Sequence, residues 1–259
     1  MLGKAFIMLA TMHGGDGKPV KPPAVKPAPV VATAPVKGTT PTPTPPKTTD
    51  PGKPVVDADY VVGKLQAYYQ RIKHYKATFR QTVTNATFGT RAKSDGRVFI
   101  KKPGKMRWDY QSPTRNSYIS DGARLWSVDF PKKQVLKKDL RKYVMSVAVT
   151  FLYGKGDLRR DFRAELLKNS TIGERGQFVV RLKPRVQDAR YQTLTLVIDP
   201  NTYEVKKSIV VTTQGETNAI SFSNPDTTSP VKDGWFTFNE AKFKGIYKII
   251  DMDKHKPGK

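Results

Sequence analysis

The sequence predicts a mainly β, antiparallel domain that is preceded by one amphipathic helix. Three observations support this fold class. From residue 74 onward, apolar and polar residues alternate in short runs spaced roughly ten residues apart, as in antiparallel sheets. Turn-forming residues stand between the runs. Residues 57–75 instead repeat apolar residues at the spacing of a helix.

The composition changes sharply along the 259 residues. Residues 1–15 place one lysine before a short apolar run, which resembles a secretory signal peptide or its remnant. Residues 16–54 are rich in Pro, Lys and Thr and contain no aromatic residue, which predicts a disordered linker. We therefore assign the folded domain to residues 55–252 and a basic tail to residues 253–259.

The predicted helix spans residues 57–75. Its apolar face is formed by Val61, Leu65, Tyr68 and Ile72, which recur at helical spacing. Aspartates lie at its start and basic residues near its end, where each charge interacts favourably with the helix dipole.

The strand pattern begins directly after the helix. In three runs, apolar side chains share one side of the strand and polar side chains share the other. The apolar sides are formed by Phe79 in residues 74–83, by Met106, Trp108 and Tyr110 in residues 105–110, and by Trp126 and Val128 in residues 124–130. The dipeptides Asp95-Gly96 and Asp121-Gly122 predict turns between strands.

Residues 144–153 interrupt this alternation. They are apolar without a period of two, and Gly154 and Gly156 follow them. Val147 and Phe151 are four residues apart and can share a helical face. We predict a short helical insert here, or two helices that are broken at the glycines.

The formal net charge of +24 raises three classes of partner: nucleic acid, an anionic membrane surface or an acidic protein. Charge alone does not choose among them. A single-stranded nucleic acid needs aromatic and basic side chains on one surface. In residues 105–110 these side chains alternate to opposite sides, so we predict no nucleic-acid partner and keep single-strand binding as a minor alternative.

No arrangement of residues typical of catalysis or metal binding is visible. His13, His74 and His255 are not spaced as a metal-binding set, and the chain has no cysteine. Neither a Gly-x-Ser-x-Gly elbow nor a glycine-rich phosphate loop is present. We predict that the protein is not an enzyme and binds neither a metal nor a cofactor.

The order of the motifs resembles a known family. The helix is followed by "ATFRQTV", then by "DGRVFIKKPGKMRWDYQSP", "YISDGARLWSVDFPKKQV", "LYGKGDL" and "LTLVIDP". Each motif is short, but their order and spacing together closely resemble the outer-membrane lipoprotein carrier family (LolA-type) over roughly residues 58–250.

The resemblance implies an incomplete antiparallel β-barrel with helices that form a lid over an apolar cavity. Residues 58–73 and the insert at residues 144–153 match the lid. It further implies a periplasmic carrier that collects triacylated lipoproteins from an ATP-driven (ABC-type) exporter in the inner membrane. The carrier delivers them to an outer-membrane acceptor. We expect a monomer.

The resemblance also implies which residues bind the acyl chains. The candidate cavity and lid residues are Leu65, Phe79, Met106, Trp108, Tyr110, Trp126, Val128, Val147 and Phe151. Lys102 stands where many family members have an arginine that is thought to hydrogen-bond the lid, so it is a candidate latch. Lysine offers donors without the planar fork of arginine.

Two relatives of the carrier remain as alternatives. A lipid- or stress-sensing protein with the same half-barrel needs the same pocket, so the residues do not distinguish it from a carrier. The outer-membrane acceptor shares the fold but is anchored through an N-terminal cysteine. This sequence contains no cysteine, so the acceptor role is disfavoured.

Overall fold

A computed structural model describes residues 56–142, 156–168 and 170–254. These residues form a twelve-stranded sheet crossed by one long helix, α1 (Ala58–Arg71). The strands are β1 (His74–Asn85), β2 (Thr90–Lys101), β3 (Lys105–Ser112), β4 (Asn116–Ser120), β5 (Arg124–Asp129), β6 (Gln134–Asp139), β7 (Phe162–Leu166), β8 (Phe178–Pro184), β9 (Tyr191–Ile198), β10 (Val205–Thr212), β11 (Thr217–Asp226) and β12 (Lys248–Asp251). A short helix, α2 (Leu158–Asp161), precedes β7, and 3₁₀ turns occur at Leu140–Lys142 and Asp233–Phe236.

The strands follow the order β12-β6-β5-β4-β3-β2-β1-β11-β10-β9-β8-β7. Ten of the eleven neighbouring pairs are antiparallel, which confirms the predicted mainly β, antiparallel fold. The exception is β12, which pairs with β6 in parallel. Strands β12 and β7 form the two edges and do not pair with each other, so the sheet is open rather than closed.

Helix α1 forms where it is predicted but ends four residues earlier. Its first turn is capped by Asp57, whose carboxylate accepts a hydrogen bond from the Tyr60 N–H at 2.7 Å. The helix ends at Arg71 because Ile72 is extended and β1 begins at His74. From there β1 pairs with β2 and β11, and these ladders outweigh the helical pattern of residues 72–75.

The two faces of the sheet bury different parts of the chain. The inner face, which includes Phe79, Met106 and Trp108, packs against α1. The outer face includes Ile119 and Trp126 in a separate cluster. The C-terminal segment (residues 227–254) covers this second cluster and a third one around Phe99, Val231 and Phe236. Each face therefore has its own cover.

Several predicted segments lie outside the described residues: the signal-like residues 1–15, the linker 16–54, the helical insert 144–153 and most of the basic tail. Val147 and Phe151 belong to this group. Within the described part of the chain, no helix has the length and apolar character required to cross a bilayer.

Candidate functional site

Five predicted site residues lie together beneath α1. Leu65 on the helix and Phe79, Met106, Trp108 and Tyr110 on β1 and β3 belong to one apolar cluster, and none is more than 5 % exposed. The alternation of side chains along β1 and β3 places the four sheet residues on the inner face. The structure thus brings these residues together, while their role in binding stays a prediction.

Aromatic rings form the centre of the inner face. The Phe79 ring centroid lies 5.0 Å from that of Trp108 and 4.9 Å from that of Tyr110. Phe222 on β11 extends the group, with its centroid 6.2 Å from that of Trp108. These tilted and edge-on contacts give the inner face a continuous apolar surface that runs from β3 over β2 and β1 to β11.

Gly96 makes this aromatic packing feasible, and the prediction of a turn at Asp95-Gly96 was wrong. Gly96 lies within β2, where it pairs with Phe79 on one side and Tyr110 on the other. A Cβ at this position would come within 2.9 Å of the Phe79 ring and 2.1 Å of the Asp109 carbonyl oxygen. A glycine inside a strand is a recognised sign of such a close approach.

A buried polar group adjoins the aromatic rings. The Tyr110 hydroxyl donates to Gln81 Oε1 at 3.0 Å, and Gln81 Nε2 donates to Asn218 Oδ1 at 2.9 Å. Burial raises the pKa of Tyr110, so its hydroxyl stays protonated and can act as the donor. Sequence analysis missed Asn218, because its pairing with Val83 depends on the β1–β11 register, which the sequence pattern does not specify.

Lys102 contacts the last turn of α1. Its Nζ donates to the Tyr69 carbonyl oxygen, and partial burial lowers the pKa of this lysine. Carbonyl groups in the last turn of a helix lack partners within the helix, so an amino group is well suited to this position. The structure therefore shows the contact that a latch requires, and the latch function itself stays a prediction.

The first half of α1 is held by α2. Arg159 Nη2 donates to the Asp59 carbonyl oxygen at 2.7 Å, and the Leu158 N–H donates to Gln66 Oε1 at 2.9 Å. The Arg159 guanidinium crosses the helix at Gly63, where a Cβ would lie 2.0 Å from its Nη2. Gly63, a residue type that is unfavourable inside a helix, thus provides room for this contact.

Two predicted residues lie on the wrong face for this site. Trp126 and Val128 belong to the outer cluster, together with Ile119 and Phe238. Trp126 pairs with Ile119, whereas the inner-face Trp108 pairs with Tyr118, so Trp126 and Trp108 point to opposite sides of the sheet. The prediction that Trp126 and Val128 line the same cavity was therefore wrong.

Trp126 instead binds the C-terminal segment. Its Nε1 donates to Glu240 Oε1 at 2.9 Å, and Lys137 forms an ion pair with the same carboxylate at 3.0 Å. These partners lower the pKa of Glu240, although partial burial opposes the effect. Trp126 therefore has a structural role on the outer face.

The described residues do not gather metal-binding side chains into a group. Among them, no three His, Cys, Asp or Glu side chains lie close enough to form a metal-binding group. What the inner face presents is an apolar surface with a few buried polar atoms.

Comparison of the sequence with known proteins identifies a related family. The sequence model of the family described as outer membrane lipoprotein carrier protein LolA matches residues 70–239. An outer-membrane lipoprotein carrier protein from Methylobacillus flagellatus is 25 % identical over 68 % of this chain and 83 % of its own length. One from Chromobacterium violaceum is 30 % identical over 52 % of this chain and 63 % of its own length.

Among solved structures, a LolA superfamily protein from Nitrosomonas europaea aligns with 71 % of this chain and 99 % of its own, at a TM-score of 0.40 and 13 % identity. The family assignment rests on the sequence comparison. Since the family model covers well over half of the residues, the chain belongs to the LolA family of outer-membrane lipoprotein carrier proteins.

Proposed function

We propose that this protein carries lipoproteins through the periplasm, with their acyl chains bound on the inner face of the sheet. It receives triacylated lipoproteins from an ATP-driven exporter in the inner membrane and delivers them to an acceptor in the outer membrane. Family membership and the names of the relatives support the carrier role. The observation that supports the ligand site is the continuous apolar inner face beneath α1.

The need for such a carrier follows from the cost of exposing hydrocarbon to water. Burial of one methylene group is worth about 0.8 kcal/mol, so a single long acyl chain resists transfer into water by roughly 10 kcal/mol or more. A carrier must therefore offer an apolar surface during the whole passage. In the described conformation α1 occupies that surface, with Val61, Val62 and Leu65 fully buried against the sheet.

An acyl chain and α1 therefore compete for the same surface. Apolar contacts are non-directional, so hydrocarbon can replace the side chains of α1 without matching their shape. The polar contacts are different, because hydrocarbon cannot replace them. When α1 moves away from the inner face, the bonds from Lys102 to Tyr69 and from Arg159 to Asp59 break. These two bonds set part of the cost of opening.

Delivery needs no covalent step. A lipoprotein moves on when the acceptor binds its acyl chains more tightly than the inner face does, and closure of α1 contributes to release. The closing helix regains its apolar contacts and its polar bonds, including the one from the Leu158 N–H to Gln66. This competition makes binding strong enough for transport and weak enough for transfer.

A transfer assay with matched variants tests the proposal. The inner-face variant is Phe79→Gln, and the control is Thr78→Gln, the adjacent residue with its side chain on the outer side of β1. We expect the wild type and Thr78→Gln to accept triacylated lipoprotein from exporter-containing vesicles and to pass it to the acceptor. We expect Phe79→Gln to accept little lipoprotein. Circular dichroism checks that this variant is folded.

Mass spectrometry of the protein isolated from periplasm provides a second measurement. We expect triacylated lipoprotein to copurify with it. Binding without transfer to the acceptor would contradict the carrier proposal and favour the lipid-sensing alternative. Equal binding by Phe79→Gln and the wild type would contradict the assignment of the site to the inner face.

A further inference from the structure

The β1–β2 hairpin presents an exposed aromatic side chain at its tip. Each strand is twelve residues long, and residues 86–89 form the turn. Phe88 is 76 % exposed there, although its backbone is ordered by a hydrogen bond from its N–H to Asn85 Oδ1 at 3.1 Å. Single exposed apolar side chains are common on soluble proteins, so the meaning of Phe88 depends on the charges beside it.

Four cations lie on the outward side of the same hairpin. Three of the cations lie opposite threonines of the partner strand, and the fourth lies opposite the one acid of these two strands. The pairs are Arg91 with Thr84, Lys93 with Thr82, Arg97 with Thr78, and Arg80 with Asp95. All four are exposed, and among the described residues none of them forms an ion pair. We call these cations and Phe88 the hairpin surface.

Strand β11, the neighbour of β1, adds no charge to the outward side of the hairpin. β11 places Thr217, Ala219, Ser221 and Ser223 beside the outward side of β1. These side chains carry hydroxyl groups or a methyl group. On the other side of the hairpin, Asp109 on β3 lies opposite Arg97 and bonds to Arg107. Asp95 lies opposite Arg80, so Arg91 and Lys93, toward the tip, are the cations that have no acid opposite them.

We propose that the hairpin surface docks the protein onto a bilayer that contains anionic phospholipids. The cations face the phosphate groups, and the Phe88 ring enters the boundary between headgroups and acyl chains. An array of phosphates above an apolar layer matches a cationic face with an apolar tip. Because surface binding requires no bound cargo, this inference stands independently of the carrier function.

Other partners fit these features less well. A single-stranded nucleic acid stacks on aromatic side chains placed among the cations, whereas Phe88 stands alone beyond them. An acidic protein would need a pocket for the Phe88 ring in addition to a matching pattern of carboxylates. A bilayer supplies both the negative charge and the apolar layer without a specific pocket.

Vesicle sedimentation tests the charge requirement. We expect the full chain to bind vesicles of phosphatidylglycerol and phosphatidylcholine and to leave vesicles of phosphatidylcholine alone unbound. Each cation near an anionic surface contributes about fivefold to the partition coefficient. The double variant Arg91→Gln/Lys93→Gln should therefore bind about 25-fold more weakly at low salt. The matched control is Lys242→Gln/Lys244→Gln, which removes the same charge from the C-terminal segment and should bind like the wild type.

A fluorescent label tests whether the tip enters the membrane. Because the chain has no cysteine, Phe88→Cys carries an environment-sensitive dye at one known position. We expect its emission to shift to the blue on addition of the anionic vesicles. The same dye at Asn201→Cys should not respond, because the β9–β10 turn lies at the other end of the sheet.

Three results would overturn the proposal. The first is equal weakening by both charge pairs, which would mean that the total charge alone governs binding. The second is an unchanged emission of the label at position 88. The third is absence of vesicle binding by a chain that binds poly-glutamate or an oligonucleotide through Arg91 and Lys93, which would assign the surface to an acidic protein or a nucleic acid.

Discussion

The two covers of the sheet are held in different ways. On the inner face, α1 contributes mainly apolar side chains, with polar bonds near its two ends. On the outer face, the C-terminal segment combines apolar clusters with ion pairs. Asp233 bonds to Lys101 at 2.9 Å and to Lys105 at 2.6 Å, and Glu240 bonds to Lys137.

The outer cover also joins the sheet itself. β12 pairs with β6 along four residues, so its backbone groups are part of the ladder. Arg107 adds a hydrogen bond to the Trp235 carbonyl oxygen at 3.2 Å and lies over the Trp235 ring. A ligand made of hydrocarbon can substitute for the apolar contacts that make up most of the α1 interface, but it cannot substitute for a ladder and its ion pairs. This difference suggests that the inner cover is the exchangeable one.

The largest effect is expected in the outer cover. Phe236 is completely buried in a cluster with Phe99 and Val231. Phe236→Ala should lower the free energy of unfolding by about 3–5 kcal/mol, because a large cavity remains in a region that cannot collapse freely. Urea denaturation measures this loss. The affinity of Phe236→Ala for a fluorescent acyl probe should equal that of the wild type. A decrease in the free energy of unfolding of less than about 1 kcal/mol would show that the outer cover contributes little to stability.

A matched pair of variants compares the two covers directly. Leu65→Ala on α1 and Ile119→Ala on the outer face each remove a buried aliphatic side chain, and each should lower the free energy of unfolding by about 2–4 kcal/mol. If acyl chains displace α1, the closed position of α1 competes with acyl binding. Only Leu65→Ala destabilises that closed position. We expect it to bind the acyl probe at least about tenfold more tightly, while Ile119→Ala binds like the wild type.

This pair separates an exchangeable cover from a fixed one. Equal probe affinity in the two variants, with equal losses of stability, would mean that acyl chains bind without displacing α1. Tighter binding by Ile119→Ala would reverse the comparison and assign exchange to the outer face. Fluorescence titration at a fixed temperature, with both proteins more than nine-tenths folded, gives the required affinities.

Local patterns in the sequence predicted the elements well, because alternation and helical spacing act over a few residues. They did not predict which side of the sheet a strand presents. Trp126 and Trp108 each alternate cleanly, but the register at the β3–β4 and β4–β5 turns decides that their side chains point to opposite faces. Gly96 shows the same limit, since an Asp-Gly pair can form a turn or allow a close approach within a strand.

The outer cover could not be predicted from local patterns at all. Its contacts join residues more than one hundred positions apart, such as Lys105 with Asp233 and Trp126 with Glu240. No periodicity in the sequence relates such residues. Lys102, by contrast, was named as a candidate latch because the chain resembles a family, and the structure supplies its partner, the Tyr69 carbonyl oxygen.

A smaller effect is expected at Lys102. Lys102→Met removes the donor to the Tyr69 carbonyl oxygen but keeps an apolar side chain of similar length. The variant should lose about 1–2 kcal/mol of stability and bind the acyl probe more tightly, because the closed position of α1 is weakened. Lys105→Met is the control, since it breaks a bond to Asp233 in the outer cover. Unchanged probe affinity in Lys102→Met would exclude a latch function.

The smallest effect concerns the tyrosines of the inner face at high pH. Burial raises the pKa of Tyr118 to about 12, whereas a tyrosine in the unfolded chain ionises near pH 10. Between these values the unfolded chain releases a proton that the folded protein keeps. The stabilisation is therefore complete below pH 10 and is lost as the pH rises toward 12.

Tyr118→Phe tests this linkage. Below pH 10 the variant should lose about 1 kcal/mol, because the hydroxyl interaction with Ser127 is absent. Between pH 10 and 12 its stability should decline less steeply than that of the wild type. Part of the decline should remain, because burial also raises the pKa of Tyr69 on α1 and of Tyr75 and Tyr110 on the sheet, which belong to the same cluster. Parallel decline of the two proteins in urea denaturation at each pH would mean that Tyr118 ionises in the folded state as it does in water. The inner cover would then admit solvent at this position even without a ligand.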